Sequence, residues 1–311
     1  DGADRALYAA AFHKRATPFG PAGPGGIYRV DLDGGEVSEW ARVPESGAAA
    51  HGPVGDGLFD QLGRAAVGKS GLGDLDLSED GRELFTVNLY SRRILRYRVA
   101  DRRLLGSFAH GAADQPWAEA EARPFALAYR RGLLYHGVLR DASASQDARD
   151  LRAYVYESLP DGSRMRLVLD FGLDYAWQGP HYQVPAQWRP WLLTGQQTLN
   201  GGMFIWPQPW LTDIAFTAEG DMVLGLRDRN GDRTLFEPGG ALPPGEQNGQ
   251  QAGDILLAHP RGNRWQLDEN PEYFGEDASR SVGATWDGHP ETGFGGLAYL
   301  PQARQVVMSA L

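Results

Sequence analysis

Apolar residues along this chain come in short runs, each closed by a polar turn that often carries glycine, and the runs fall into groups. The fullest group reads Gly73-Asp74-Leu75-Asp76-Leu77, the turn Ser78-Glu79-Asp80-Gly81-Arg82, then strands over 83–88 and 94–99. Residues 213–216, the turn 217–221 and 222–227 repeat it at a constant offset. A third copy takes 125–129, 133–138 and 151–156, and a fourth takes 296–300 and 305–308. Near the start, 6–12 reads as the second strand of such a group and 27–32 as the third. Fourth strands are predicted at 37–40, 104–108, 166–171 and 264–267. Alternation is incomplete. Ile94, the pair Leu95 and Tyr97, and Val99 do not share one face, so one side of that strand is not cleanly polar.

Repeated groups of about four strands predict an all-β fold, and repetition favours a β-propeller. A four-stranded group buries its two faces only against neighbouring groups, so the groups must go round in a ring. The pattern predicts five or six four-stranded blades with long interblade loops, in a single domain over 1–311. The C-terminal strands are expected to complete the sheet begun at the N-terminus. A two-sheet sandwich is the other arrangement that such strands allow. The linkers 44–73, 172–209, 238–253 and 268–292 exceed about 12 residues, the length beyond which a loop in a compact domain carries function or is disordered. Linker 172–209 holds Trp177, Trp188, Trp191 and Trp206, which predicts an aromatic cover over one end of the scaffold.

Composition narrows the function. Lys and Arg number 30 against 40 Asp and Glu, a formal charge of −10, which argues against a nucleic-acid partner. Cysteine is absent, which excludes disulfides, thiolate metal sites and a cysteine nucleophile. No apolar run approaches the roughly 18 residues of a membrane span. The chain starts on Asp1 and stops on the apolar run 306–311, so it reads as a fragment of a longer polypeptide.

Candidate chemistry gathers at one end of the ring. Aligned second strands end at His13 and Lys14, at 88–92, at Leu139-Arg140-Asp141 and at 228–232, which predicts a rim of His13, Asn88, Arg140 and Asp228 around the channel. Loop ends are also polar simply because they meet water. The run Arg227-Asp228-Arg229-Asn230-Gly231-Asp232 offers oxygens at alternate positions and a glycine bend, as Ca²⁺ requires, with Asp228, Asn230 and Asp232 as ligands. It departs from an EF-hand, since glycine stands fourth and Gly239 takes the place of the closing Glu. It is equally an Asn-Gly turn between two strands, and the sequence does not choose. His289-Pro290-Glu291 precedes the last inner strand and adds Glu291 to the same face. Gly68-Lys69-Ser70 ends like a phosphate-binding loop but lacks the earlier glycine, and Arg64 stands there instead. Asp74 and Asp76 alternate along one strand, as carboxylates on surface strands routinely do.

With the stretch 73–85, the run 227–232 and Gly295-Gly296-Leu297-Ala298-Tyr299-Leu300-Pro301, the chain resembles propeller modules, of the NHL and YVTN type, found in bacterial cell-surface proteins beside SdrD B-like repeats. That resemblance implies an extracellular or cell-surface location and a non-enzymatic binding or scaffold role in adhesion. It also implies a protein or glycan ligand at a loop face, with neighbouring domains or copies in a surface assembly. Two rival functions stay open. One is a Ca²⁺-dependent propeller hydrolase or lactonase, with Asp228, Asp232, Asn88 and Glu291 around the ion and His13 or His136 as base. The other is a subunit of an extracellular filament or surface layer.

Overall fold

The computed structural model describes residues 5–51, 60–177, 186–192, 203–204, 206–233, 248–249, 253–272, 281–282, 285–286 and 293–310. They form a β-propeller. The first blade is three antiparallel strands, β1 (Ala6–Ala10), β2 (Gly26–Asp31) and β3 (Val37–Arg42). After the short helix α1 (Gln61–Ala66), the second blade runs β4 (Leu72–Leu77), β5 (Glu83–Asn88), β6 (Arg93–Arg98) and β7 (Arg103–Ala109). Helix α2 (Ala118–Glu121) leads into the third, β8 (Ala122–Arg130), β9 (Leu133–Arg140), β10 (Arg152–Ser158) and β11 (Arg166–Gly172). The linker that follows contains β12 (Ala176–Trp177) paired with β13 (Ala186–Gln187), and β14 (Met203–Phe204). The fourth blade is β15 (Pro209–Phe216), β16 (Met222–Asp228), β18 (Gly253–Arg261) and β19 (Arg264–Glu272). Between β16 and β18 lie α3 (Arg229–Arg233) and β17 (Asn248–Gly249), which pairs with β14. Beyond come the pair β20 (Ser281–Val282) and β21 (Thr285–Trp286), then β22 (Gly293–Leu300) and β23 (Gln305–Ala310).

Each predicted strand group is therefore present, but among the described residues the blades number four, not five or six. The last repeat yields only the hairpin β22–β23, packed on the fourth blade, and among the described residues it is not hydrogen-bonded to β1–β3. A local repeat specifies which strands pair, whereas blade count depends on contacts across the whole ring. The inner strands β4, β8, β15 and β22 pack one against the next.

Blades stacked face to face explain the broken alternation. In β5 every residue after Glu83 is buried, and in β6 Ile94, Leu95 and Tyr97 are all buried, because both sheet faces meet a neighbour. The outer strand β7 is mostly exposed. The main core runs through blades two to four and includes Phe85, Val87, Leu127, Leu134, Leu169, Leu224 and Leu256.

Inner strands of adjacent blades are joined by carboxylates. Asp74 Oδ2 accepts the backbone N–H of Leu127 at 2.9 Å, and Asp76 Oδ2 accepts that of Tyr129 at 2.6 Å. Asp213 Oδ2 accepts the N–H of Leu297 at 2.7 Å in the same way. These aspartates sit in the channel wall and staple one inner strand to the next, which for Asp74 and Asp76 corrects the reading as ordinary surface-strand residues.

Candidate functional site

Two of the aligned second-strand ends, those of β1 and β16, are hydrogen-bonded to each other, and linker residues tie in the ends of β9 and α1. Arg15 N donates to Asp232 O at 3.0 Å, Trp191 N donates to Asp141 O at 2.9 Å, and Arg229 Nε donates to Val67 O at 2.9 Å. Helices α1 and α3 pack together. Trp188, Trp191 and Trp210 are fully buried. Trp191 Nε1 donates to Pro209 O at 2.8 Å, and its ring meets Trp210 edge-on with centroids 5.6 Å apart. Trp206 Nε1 donates to Pro190 O at 3.0 Å.

Most predicted rim residues hold the fold together at this end. Asn88 Nδ2 donates to Pro44 O and Glu45 O, at 3.0 and 3.1 Å, and its Oδ1 accepts from Tyr90 N and Ser91 N. It clamps the 44–46 turn to the end of β5. Arg140 bridges Glu121 at 2.7 Å and Asp150 at 2.8 Å. His13 is buried, with Nδ1 hydrogen-bonded to Ser70 Oγ at 2.7 Å and its ring 4.6 Å from that of His51. Burial, helped by the His51 ring, pushes its pKa down to about 4. His136 lies inside blade three, where Nε2 accepts the Gly111 N–H at 2.9 Å, and burial lowers its pKa to about 3. Glu291 lies outside the described residues.

The Asp228–Asp232 run is helical from Arg229 onward, so neither a hairpin turn nor an EF-hand-like loop forms. Asp228 Oδ1 accepts N–H groups from Gln208 and Asn230, both at 2.7 Å. Burial pushes its carboxyl up to about 8. Both oxygens of Asp232 are gripped by the Arg227 fork, at 2.6 and 2.8 Å, and Lys14 stands 3.8 Å away. A cation held by these three residues would have to displace Arg227 from Asp232 and a proton from Asp228. Among the described residues no three His, Asp or Glu side chains cluster as metal ligands.

What the sequence reading missed is a set of cations at the same end. Arg229 and Arg123 lie over the Trp191 ring, their guanidinium carbons 4.1 and 5.3 Å from its centroid, and Lys69 and Arg233 lie close enough to Arg229 to repel it. Gly68, at φ +78°, lies against both indoles. The one sequence signal here was Gly68-Lys69-Ser70, which fails as a phosphate loop because it follows a short helix and enters a strand.

Below the cover, the channel has a cavity of about 340 Å³ lined by Phe12, Asp74, Phe125, Trp210, Asp213 and Arg227 among others. A second, of about 380 Å³, lies toward Asp76, Tyr129, Phe216 and Tyr299. Burial raises the Asp213 carboxyl to about 7 and drives Asp74 well above the ordinary carboxylate range, with the Asp213 charge adding to the shift.

Fold and channel thus define a β-propeller with a covered, cation-rich end. No protein-family model matches the chain. It is 25% identical over 245 residues to Colossin-D of Dictyostelium discoideum, an alignment covering 74% of this chain and 24% of that protein. It is 23% identical over 258 residues to Colossin-A of the same organism, covering 76% of this chain and 2% of that protein. The chain therefore spans a quarter or less of the curated relatives it matches. Among solved structures it is similar to the periplasmic gluconolactonase of Pseudomonas aeruginosa, with 13% identity, a TM-score of 0.43, and coverage of 98% of this chain and 60% of that one. A putative 6-phosphogluconolactonase of Bacteroides uniformis gives the same identity and TM-score, covering 99% and 61%.

Proposed function

We propose that this propeller is a non-catalytic binding and scaffold module of a longer, extracellular or surface-exposed protein, taking a protein or glycan ligand at its covered loop face. The observation that carries the reading is the state of the rim: Asn88, Arg140, Asp232 and His13 are all engaged in bonds that hold the loops to the blades. Side chains so engaged are not poised to activate a nucleophile or gather a metal ion. The short share of Colossin-D and Colossin-A that the chain covers supports a place inside a larger protein. Flanking SdrD B-like repeats are a further part of this proposal, and a subunit of an extracellular filament or surface layer is a rival to it. Its test is twofold. The purified chain should hydrolyse glucono-δ-lactone no faster than buffer, with or without added Ca²⁺, and the full-length protein should be labelled on intact cells by a membrane-impermeant biotin reagent. Hydrolysis above buffer that disappears in Asp74→Asn overturns the non-catalytic reading, and failure to label overturns the surface location.

The channel hydrolase is the second reading, and one observation favours it. Asp74 and Asp213 are two carboxyls raised by burial on the same cavity, with the Asp213 charge adding to the Asp74 shift, an arrangement that elsewhere separates a general acid from a general base. Against it, each already accepts a backbone N–H from the next blade. The calcium proposal for Asp228, Asn230 and Asp232 is tested by melting the protein with and without chelator. A lower melting temperature in chelator supports it, and an unchanged one removes it.

A further inference from the structure

Four cations crowd the covered end of the channel, and the carboxylates beside them do not balance the charge. Asp141 is paired with Arg123 at 2.7 Å. Asp228 is held largely in its neutral form near neutral pH by burial. Burial lowers Lys69 to about 8, with repulsion from Arg229 and Arg123 adding to it, and lowers Arg233 to about 10. Arg229 is pushed well below its ordinary value for the same reasons. Buried charge without a counter-charge is unfavourable by several kcal/mol in general, so natural interiors rarely leave it so.

Hydrogen bonding tells the same story independently. Gln208 Oε1 accepts from Arg229 Nη1 at 2.8 Å, Leu192 N at 3.1 Å and Arg233 Nη1 at 3.3 Å. Three donors on that oxygen fix the amide orientation and leave Nε2 as a donor. Gln208 Nε2, Trp210 Nε1 and Arg123 Nε are all buried, and none has an acceptor among the described residues. The Lys69 ammonium, half-buried and the member that reaches solvent, makes no hydrogen bond or ion pair there either. A Cβ on Gly68 would lie 2.6 Å from Trp210 and 2.7 Å from Trp191, so the backbone before Lys69 rests on the indole pair. Arg123 lies 5.3 Å from the centroid of that same Trp191 ring. Asp141 Oδ2, the acceptor in this cluster that makes no hydrogen bond, is ion-paired with Arg123 Nη2 at 2.7 Å, so the groups left without a counterpart are donors, which calls for a ligand that accepts.

We propose that this end of the channel binds the oxyanion group, phosphate or carboxylate, of a small-molecule ligand, with Lys69, Arg123, Gln208 and Trp210 donating to it and Arg229 and Arg233 supplying the positive field. The site is independent of whether the propeller catalyses a reaction, so its failure would leave the module reading untouched.

The test is a thermal melt of the whole chain in rising inorganic phosphate, and separately acetate, with chloride balancing ionic strength. At least one of the two should raise the melting temperature saturably, by about 3 °C at large excess, and which one does so identifies the oxyanion class. Lys69→Met, at a half-exposed position, should fold normally and weaken that anion about tenfold. In the wild type, the Lys69 amine followed by NMR after ¹³C-methylation should move from about 8 toward the ordinary lysine range when the anion binds. Neither anion stabilising more than chloride would overturn the proposal, as would equal stabilisation of wild type and Lys69→Met with the amine midpoint unmoved.

Discussion

The carboxylate of Asp74 crosses the gap between two blades to accept the backbone N–H of Leu127 at 2.9 Å, while its other oxygen accepts the N–H of Leu75 at 2.8 Å. Inner strands of a propeller do not hydrogen-bond to each other directly, so this side chain supplies a bond that the backbone cannot. Asp74→Ala leaves a buried N–H unsatisfied and should cost about 1–3 kcal/mol in urea-induced unfolding. Asp76→Ala removes the matching bond to Tyr129 and should cost a similar amount. A loss under about 0.5 kcal/mol at both positions would show that the staples do not matter to stability.

Asp213 makes the staple to Leu297 and titrates in the fold near 7, against 3.8 for the free side chain, because burial disfavours its charge. Its folded pKa is raised, so its contribution to stability is complete below about pH 4 and is lost as pH rises toward about 7. The stability difference between wild type and Asp213→Asn should therefore fall across that window and level off above it. A difference that is flat from pH 4 to 8 counts against a raised carboxyl.

His136 behaves with the opposite sign. Its ring stays neutral in the fold down to about pH 3, whereas the unfolded chain takes up a proton near 6.5, so stability is lost as pH falls between those values. At pH 5 the imidazole should give ¹⁵N shifts of a neutral ring with the proton on Nδ1, since Nε2 accepts from Gly111. An imidazolium signal at that pH would contradict the buried bond.

Gly68 takes φ +78° with two indole rings where a side chain would be. Gly68→Ala combines a left-handed backbone with overpacking and should destabilise by more than about 2 kcal/mol, read by the shift in urea midpoint. A neutral result would mean that the cover over the channel repacks freely.

Trp188, Trp191 and Trp210 lie under the cover, so part of the fluorescence should resist iodide. The difference in emission between wild type and Trp191→Phe should be insensitive to iodide up to the quencher concentrations that extinguish exposed indoles. Full quenching of that component would place the cover in solvent.

The strand groups and their order could be read from local patterns, because pairing of neighbouring strands depends on residues close in sequence. Residues 73–77, 83–88 and 94–99 appear as β4, β5 and β6 within a residue or two, and the ends of β1 and β16 meet through Arg15 N and Asp232 O. The aromatic linker does bury Trp188 and Trp191, as its composition implied. Blade number was not legible, because it is fixed by contacts among strands far apart in the chain. The roles of rim residues were not legible either. Asn88 and Arg140 look like ligands in a strand-end alignment, yet their partners at Pro44, Glu121 and Asp150 are set by where the linkers return. Lys69, Arg123 and Arg229 come from three separate elements, and each alone resembles an ordinary surface cation. Only folding places Arg123 and Arg229 over Trp191 with Lys69 close enough to be repelled by both, where burial removes the water that would have screened their charge.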